Sequence, residues 1–87
     1  MPRHPHLMLL GKRLRELRER RGMSQETFAL EAGLARSYYG GVERGLRNLA
    51  ALNLIRIAAT LGCEVGELFP PIEQFKTPRS KRTRSGT

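Results

Sequence analysis

Few side chains in this sequence are equipped for chemistry beyond simple charge. His4 and His6 stand in a proline-broken segment, MPRHPH, with no third ligand nearby, whereas a metal needs three or four convergent donors. Cys63 is the single cysteine, and all eight acids are glutamates. No cluster of polar groups has the spacing of a nucleophile and its base. Neither an enzyme nor a cofactor is expected. What remains is a basic balance: 16 Lys and Arg against 8 acids give a net charge of +8 and a pI near 11.1. A domain this basic meets a polyanion, nucleic acid first and an anionic membrane second.

The 87 residues allow one domain with a small core, for which a dimer partner adds useful burial. One cysteine excludes an internal disulfide and fits a reducing cytoplasm. Cys63 is expected as a small apolar filler rather than a redox sensor. No apolar run approaches ~18 residues, so no membrane span is expected. The start, MPRHPHLMLLG, has no small-residue cleavage site and makes a poor signal peptide.

The elements follow from periodicity and punctuation. Residues 1–6 are expected as a flexible lead-in, since Pro2 and Pro5 block regular structure. Leu10, Leu14 and Leu17 form one apolar stripe on a charged helix from Leu7 to Arg21, closed by Gly22. Ser24 sits where an N-cap belongs, ahead of a second helix over Gln25 to Glu31 whose inward side is Phe28, Ala29 and Ala32. Gly33 is the left-handed turn residue, and Leu34 an apolar anchor after it. A third helix runs from about Ala35 to Glu43 and stops at Gly45. A fourth runs from Ala50 or Ala51 to Leu61, with Leu54, Ile57, Ala58 and Leu61 inward and Gly62 as its stop. A short fifth helix over Val65 to Phe69 ends at Pro70-Pro71. The tail KTPRSKRTRSGT, residues 76–87, has no acids and nothing bulky and apolar, and is expected to be disordered. It supplies +5 of the +8, leaving the folding region, residues 7–75 with their lead-in, only mildly basic.

Four segments, LGKRLRELRERRGMSQETFALEAGL at 10–34, VERG at 42–45, RIAATLG at 56–62 and ELF at 67–69, resemble the Xre (Cro/repressor-like) helix-turn-helix family in order and spacing. The resemblance spans about residues 7–70. It implies an all-α, five-helix, lambda-repressor-like domain. The second helix of the motif is then a rod about 10–12 Å wide, matched to a major groove about 12 Å wide. The resemblance carries Ser24 and Gln25 to the phosphate backbone, and Arg36, Ser37 and Gly41 to positions that face the bases. Arg44 falls where the family touches backbone or groove just after the reading helix. Tyr38 and Arg47 join this DNA-binding set. Arg18 and Glu43 match a pair that ties the first helix to the third; if buried, it sets the angle of the reading helix more than it adds stability.

Gly40 and Gly41 stand in that helix although each glycine costs about 1 kcal/mol relative to alanine. Either the missing side chains let backbone approach DNA, leaving readout to Arg36, Ser37 and Tyr38, or neighbours pack two weak positions well enough. The sequence departs from the family at Ala35 and Ala50, poor caps where Ser or Thr is usual, with Asn48 a substitute cap for the fourth helix. It departs again at Tyr39, whose hydroxyl needs a partner if buried.

Leu52 and Ile55 lie off the core stripe of the fourth helix. With Phe69, Ile72 and Phe75 they form a candidate dimer surface. The resemblance implies dimerisation through this end, which would set two reading helices about 34 Å apart. The run KRLRELRERR is expected as a solvated helix face rather than a membrane helix. The basic tail either confers solubility or adds non-specific affinity by displacing counterions. The connector RNLAALNL resembles controller proteins of restriction–modification systems. Double-stranded DNA is the expected partner. A regulator of this kind represses by occlusion or activates by touching RNA polymerase. An antitoxin paired with a cognate toxin is the near alternative. An adaptor that does not read DNA is the distant one, and Arg36, Arg44 and Arg47 argue against it.

Overall fold

A computed structural model describes residues 4–75 of the chain. Four α-helices and two 3₁₀ segments follow one another, with no strand among the described residues. They are α1 (Pro5–Arg20), α2 (Gln25–Ala32), α3 (Arg36–Glu43) and α4 (Ala51–Leu61), then 3₁₀ segments at Val65–Leu68 and Ile72–Phe75. The expected fifth α-helix is thus a single 3₁₀ turn. Only four residues separate its cap, Glu64, from Phe69, and Pro70-Pro71 follows. That length closes i→i+3 bonds and leaves no room for an α-helical ladder. The expectations for residues 1–3 and for the tail, 76–87, lie outside the described residues.

α1 begins at Pro5 rather than Leu7. Proline at the first helical position gives up an amide that would have no intrahelical partner, so it starts the helix instead of blocking it. His4, expected to lie in a flexible lead-in, is the N-cap: its Nδ1 accepts the His6 amide at 3.1 Å. Ser24 caps α2 as the sequence predicts, its Oγ accepting the Thr27 amide at 3.1 Å. Ala35 and Ala50 make no side-chain cap bond. Asn48 does not replace Ala50; its carbonyl is instead engaged by the Tyr38 hydroxyl at 3.2 Å. The far end of α4 is closed by a distant side chain, Arg21 Nη1 donating to the Leu61 carbonyl at 2.7 Å.

The stripes meet in one core. Leu14, Phe28, Tyr39, Ile57 and Leu68 are fully buried, with Leu10, Ala29, Ala32, Val42, Ala58 and Leu61 around them. Phe28 and Tyr39 pack ring on ring with centroids 5.0 Å apart. Burying a side chain the size of Phe28 contributes about 1.5–3 kcal/mol, so a few such residues hold α2 and α3 together. α1 crosses α3 at Gly11, where there is no room for a side chain. A Cβ there would lie 2.5 Å from the Val42 carbonyl oxygen and 2.8 Å from the Glu43 carbonyl carbon. The backbones of α1 and α3 touch because residue 11 is glycine.

Candidate nucleic-acid interface

The candidate interface is built on α2, its turn and α3. Gly33 takes φ +75° at the end of α2, a left-handed conformation that glycine adopts without steric cost. The Leu34 amide then donates to the Ala29 carbonyl at 2.8 Å, and Leu34 packs on the core. Ala29 is buried beneath the crossing, where its small side chain lets α3 come close.

α3 divides sharply along its length. Arg36 and Ser37 are exposed, Tyr38 is half-buried, and Tyr39, Gly40, Gly41, Val42 and Glu43 are all buried. The helix therefore offers its N-terminal turn to solvent and is gripped by its C-terminal half. Arg36 is free to engage a partner: its Nε lies 3.9 Å from Glu26 Oε2, with both side chains more than half exposed, an ion pair of little energetic weight.

The grip is a buried polar network. Arg18 Nε donates to Glu43 Oε2 at 2.7 Å and Arg18 Nη2 to Glu43 Oε1 at 3.1 Å, while Arg18 Nη1 donates to the Met23 carbonyl at 2.7 Å. Gln25 Nε2 donates to the same Glu43 Oε1 at 2.8 Å. The ion pair implied by the resemblance is present, and Gln25 extends it into α2. Burial alone would raise the Glu43 carboxyl, but the bonds from Arg18, then the neighbouring Tyr39 hydroxyl, Gln25 and the Arg18 charge, outweigh it and hold the group below the usual carboxylate range. Arg18 is shifted up, chiefly by its bond to Glu43. Beside them the buried Tyr39 hydroxyl has no hydrogen-bond partner. Burial first, and then the nearby Glu43 carboxylate, push its phenol well above the ordinary range.

The other expected DNA contacts fall into two groups. Ser24 is exposed, but its hydroxyl already accepts the Thr27 amide and donates to Thr27 Oγ1 at 3.1 Å. Gln25 is half-buried and committed to Glu43 through its nitrogen. Arg44 and Arg47 are exposed beyond the end of α3. Gly41, expected at a base-facing position, is buried, and the Arg47 side chain occupies the space beside it. This contact, the Gln25–Glu43 bond and the close approach at Gly11 are not legible in the sequence pattern. An isolated glycine inside the charged stripe of α1 was the one available sign of the last.

Leu52, Ile55 and Ile72 are 58%, 55% and 77% exposed, and Phe69 is exposed as well. Phe75 is half-buried, its ring edge-on to His6 at 5.2 Å. Phe69, Ile72 and Phe75 line one shallow groove with Gly66 and Pro70. Among the described residues no three His, Cys, Asp or Glu converge closely enough to hold a metal ion. No described helix is long and apolar enough to cross a membrane.

A helix-turn-helix family model matches residues 14–68. The chain is 45% identical over 65 residues to control protein C.MunI of a Mycoplasma species, covering 74% of this chain and 88% of that protein. It is 37% identical over 62 residues to control protein C.BamHI of Bacillus amyloliquefaciens, covering 70% of this chain and 76% of that one. The crystal structure of the restriction–modification controller protein C.AhdI from Aeromonas hydrophila superposes with a TM-score of 0.75 at 52% identity, covering 76% of this chain and all of that one (100%).

Proposed function

This chain belongs to the Xre-like helix-turn-helix family, and from that premise we propose that it is a sequence-specific DNA-binding regulator of transcription, of the restriction–modification controller type, acting as a homodimer. The observation that carries the proposal is the division of α3. Its first turn, with Arg36 and Ser37, is free in solvent, and its last turn is fixed by buried bonds to α1 and α2. A reading helix needs both properties, an accessible edge and a fixed angle. In a helix-turn-helix the N-terminal residues of the second helix meet base edges while the first crosses the backbone. Arg36 is the specificity residue under this proposal, pairing with guanine. Ser24 and Gln25 approach phosphate with backbone amides at the start of α2, since their side chains already have partners. Arg44 and Arg47 flank the groove.

The controller assignment draws on the named relatives and on the connector RNLAALNL, residues 47–54. The homodimer draws on the apolar side chains left exposed on α4 and the C-terminal 3₁₀ segments. A two-fold axis there would present the two copies of α3 to successive major-groove faces, about 34 Å apart.

Selection of bound duplexes from a random pool tests the proposal directly. The expected product is a two-fold symmetric site with a guanine step in each half. Arg36→Ala should then lose about 1–3 kcal/mol on the selected duplex and far less on a scrambled one. Equal losses on both would make Arg36 a phosphate contact. Failure of any duplex to give a saturable complex at low salt would overturn the assignment.

A further inference from the structure

The paired glycines of α3 have different neighbours. A Cβ on Gly40 would make ordinary contact with Gln25 Oε1 at 3.5 Å. A Cβ on Gly41 would sit 2.9 Å from Arg47 Cγ, with Nε at 3.8 Å and Cδ at 3.9 Å. The first separation is too short for any real side chain, so the aliphatic stem of Arg47 lies across α3 where residue 41 has no substituent. Four further contacts hold this stretch down. The Leu46 amide donates to the Gly41 carbonyl at 2.8 Å. The Arg47 guanidinium carbon lies 5.9 Å from the centroid of the Tyr38 ring, within cation–π reach. The Tyr38 hydroxyl donates to the Asn48 carbonyl at 3.2 Å and accepts from Asn53 Nδ2 at 3.3 Å. Residues 38 and 41 are three apart on one helix, hence on one face, and the segment 46–48 is laid along that face.

We propose that Gly41 and Tyr38 are positioning residues for Arg47, forming a seat that orders its guanidinium beside the Arg36–Ser37 turn before DNA arrives. The inference rests on the DNA-reading assignment above. A free arginine loses much rotamer freedom when it binds, and an arginine already seated has less to lose. Glycine at 41 makes room for the stem, and the ring at 38 holds the head. The cost of a glycine in mid-helix is the cost of placing a cation next to the reading edge.

A double-mutant cycle on the selected duplex tests this, with Arg36→Ala as the control for DNA reading. Gly41→Ala should weaken binding about 2- to 5-fold, the scale of one exposed cation–π contact. The melting temperature should stay the same or rise, because alanine is the better helix former. In the Arg47→Ala background the same Gly41→Ala change should have no further effect on affinity. In the free protein, the Arg47 δ protons should show an upfield ring-current shift by NMR, lost in both Gly41→Ala and Tyr38→Leu. The proposal is overturned if Gly41→Ala costs the same affinity with and without Arg47, or if the Arg47 δ shift is unmoved by either change. Loss of binding in Arg36→Ala alongside such a result would leave the DNA-reading assignment standing while the seat falls. If no duplex binds the wild-type chain, both fall together.

Discussion

Arg18 and Glu43 face each other through two near-parallel hydrogen bonds, Nε to Oε2 at 2.7 Å and Nη2 to Oε1 at 3.1 Å, joining α1 to the last turn of α3. Each residue is 8% exposed. Gly11, two turns earlier in α1, packs against the backbone of Val42 and of the same Glu43. The crossing of α1 and α3 is therefore set by a steric contact and a bidentate bond that meet at the end of α3. Bidentate geometry resists rotation as well as separation, so the pair fixes the direction in which α3 points.

Removing one partner should be severe. Glu43→Ala leaves the Arg18 guanidinium buried without its counter-charge and should cost about 3 kcal/mol in urea denaturation, with DNA affinity falling in parallel. Replacing both, as Arg18→Met with Glu43→Leu, should recover most of the stability, since a well-packed apolar pair matches a buried ion pair. A Glu43→Ala variant with unchanged melting and unchanged affinity would deny the pair any role in holding α3.

Acid should act through the same carboxylate. Glu43 titrates below the usual range in the folded chain, so its contribution is present above the unfolded value of about 4.3 and is lost as pH falls through the folded one. Melting temperature followed from pH 6 down to pH 2 should drop more steeply for the wild type than for Glu43→Gln. Parallel curves would assign the acid sensitivity to other groups.

Tyr39 makes the opposite prediction for its hydroxyl. The oxygen is buried and has no partner, so Tyr39→Phe removes an unmet polar group while keeping the ring against Phe28. Stability at neutral pH should stay level or rise by up to about 1 kcal/mol. Because burial raises the phenol in the folded chain, the unfolded chain ionises first, and wild-type stability falls as pH rises above about 10. The phenylalanine variant should therefore lose less stability than the wild type in alkali. A clear loss at neutral pH would reveal a hydrogen bond from Tyr39 to Glu43.

Gly11 offers a purely steric test. Gly11→Ala improves helix propensity by up to about 1 kcal/mol, yet its methyl group would strike the Val42 and Glu43 carbonyls. The net change should be a loss of about 1–3 kcal/mol, the scale of overpacking in a tight interior. A rise in melting temperature would show that α1 can move away from α3 at no cost.

Ile55 tests the dimer. Its side chain is 55% exposed on α4, so Ile55→Glu should leave the helical circular dichroism signal intact and shift sedimentation toward the monomer. Binding to the two-fold site should weaken at the same time. A wild-type chain that sediments as a monomer both alone and with DNA would remove the dimer from the proposal.

Much of the fold is legible in the sequence. Leu10, Leu14, Phe28, Ala29, Ile57, Ala58 and Leu61 are buried where their spacing puts them, and Ser24 and Gly33 cap and turn as their types require. The errors are local too. Pro5 starts α1 because the first helical amide needs no partner, and the segment after Glu64 is too short for more than a 3₁₀ turn.

The amino-acid order settled the four α-helices to within two residues at their ends, most of their inward faces and the tight turn ahead of α3, because each depends on neighbours within a turn or two along the chain. Tertiary structure alone decided what those helices do to one another. Gln25 reaches Glu43 across 18 residues, Arg18 reaches it across 25, and Arg21 closes α4 across 40. Such bonds depend on crossing angles and on gaps like those at Gly11 and Gly41, and periodicity carries no information about either. That is why an exposed arginine at position 36 is expected from the sequence, while the packing of the Arg47 stem beside Gly41 is decided only by the tertiary structure.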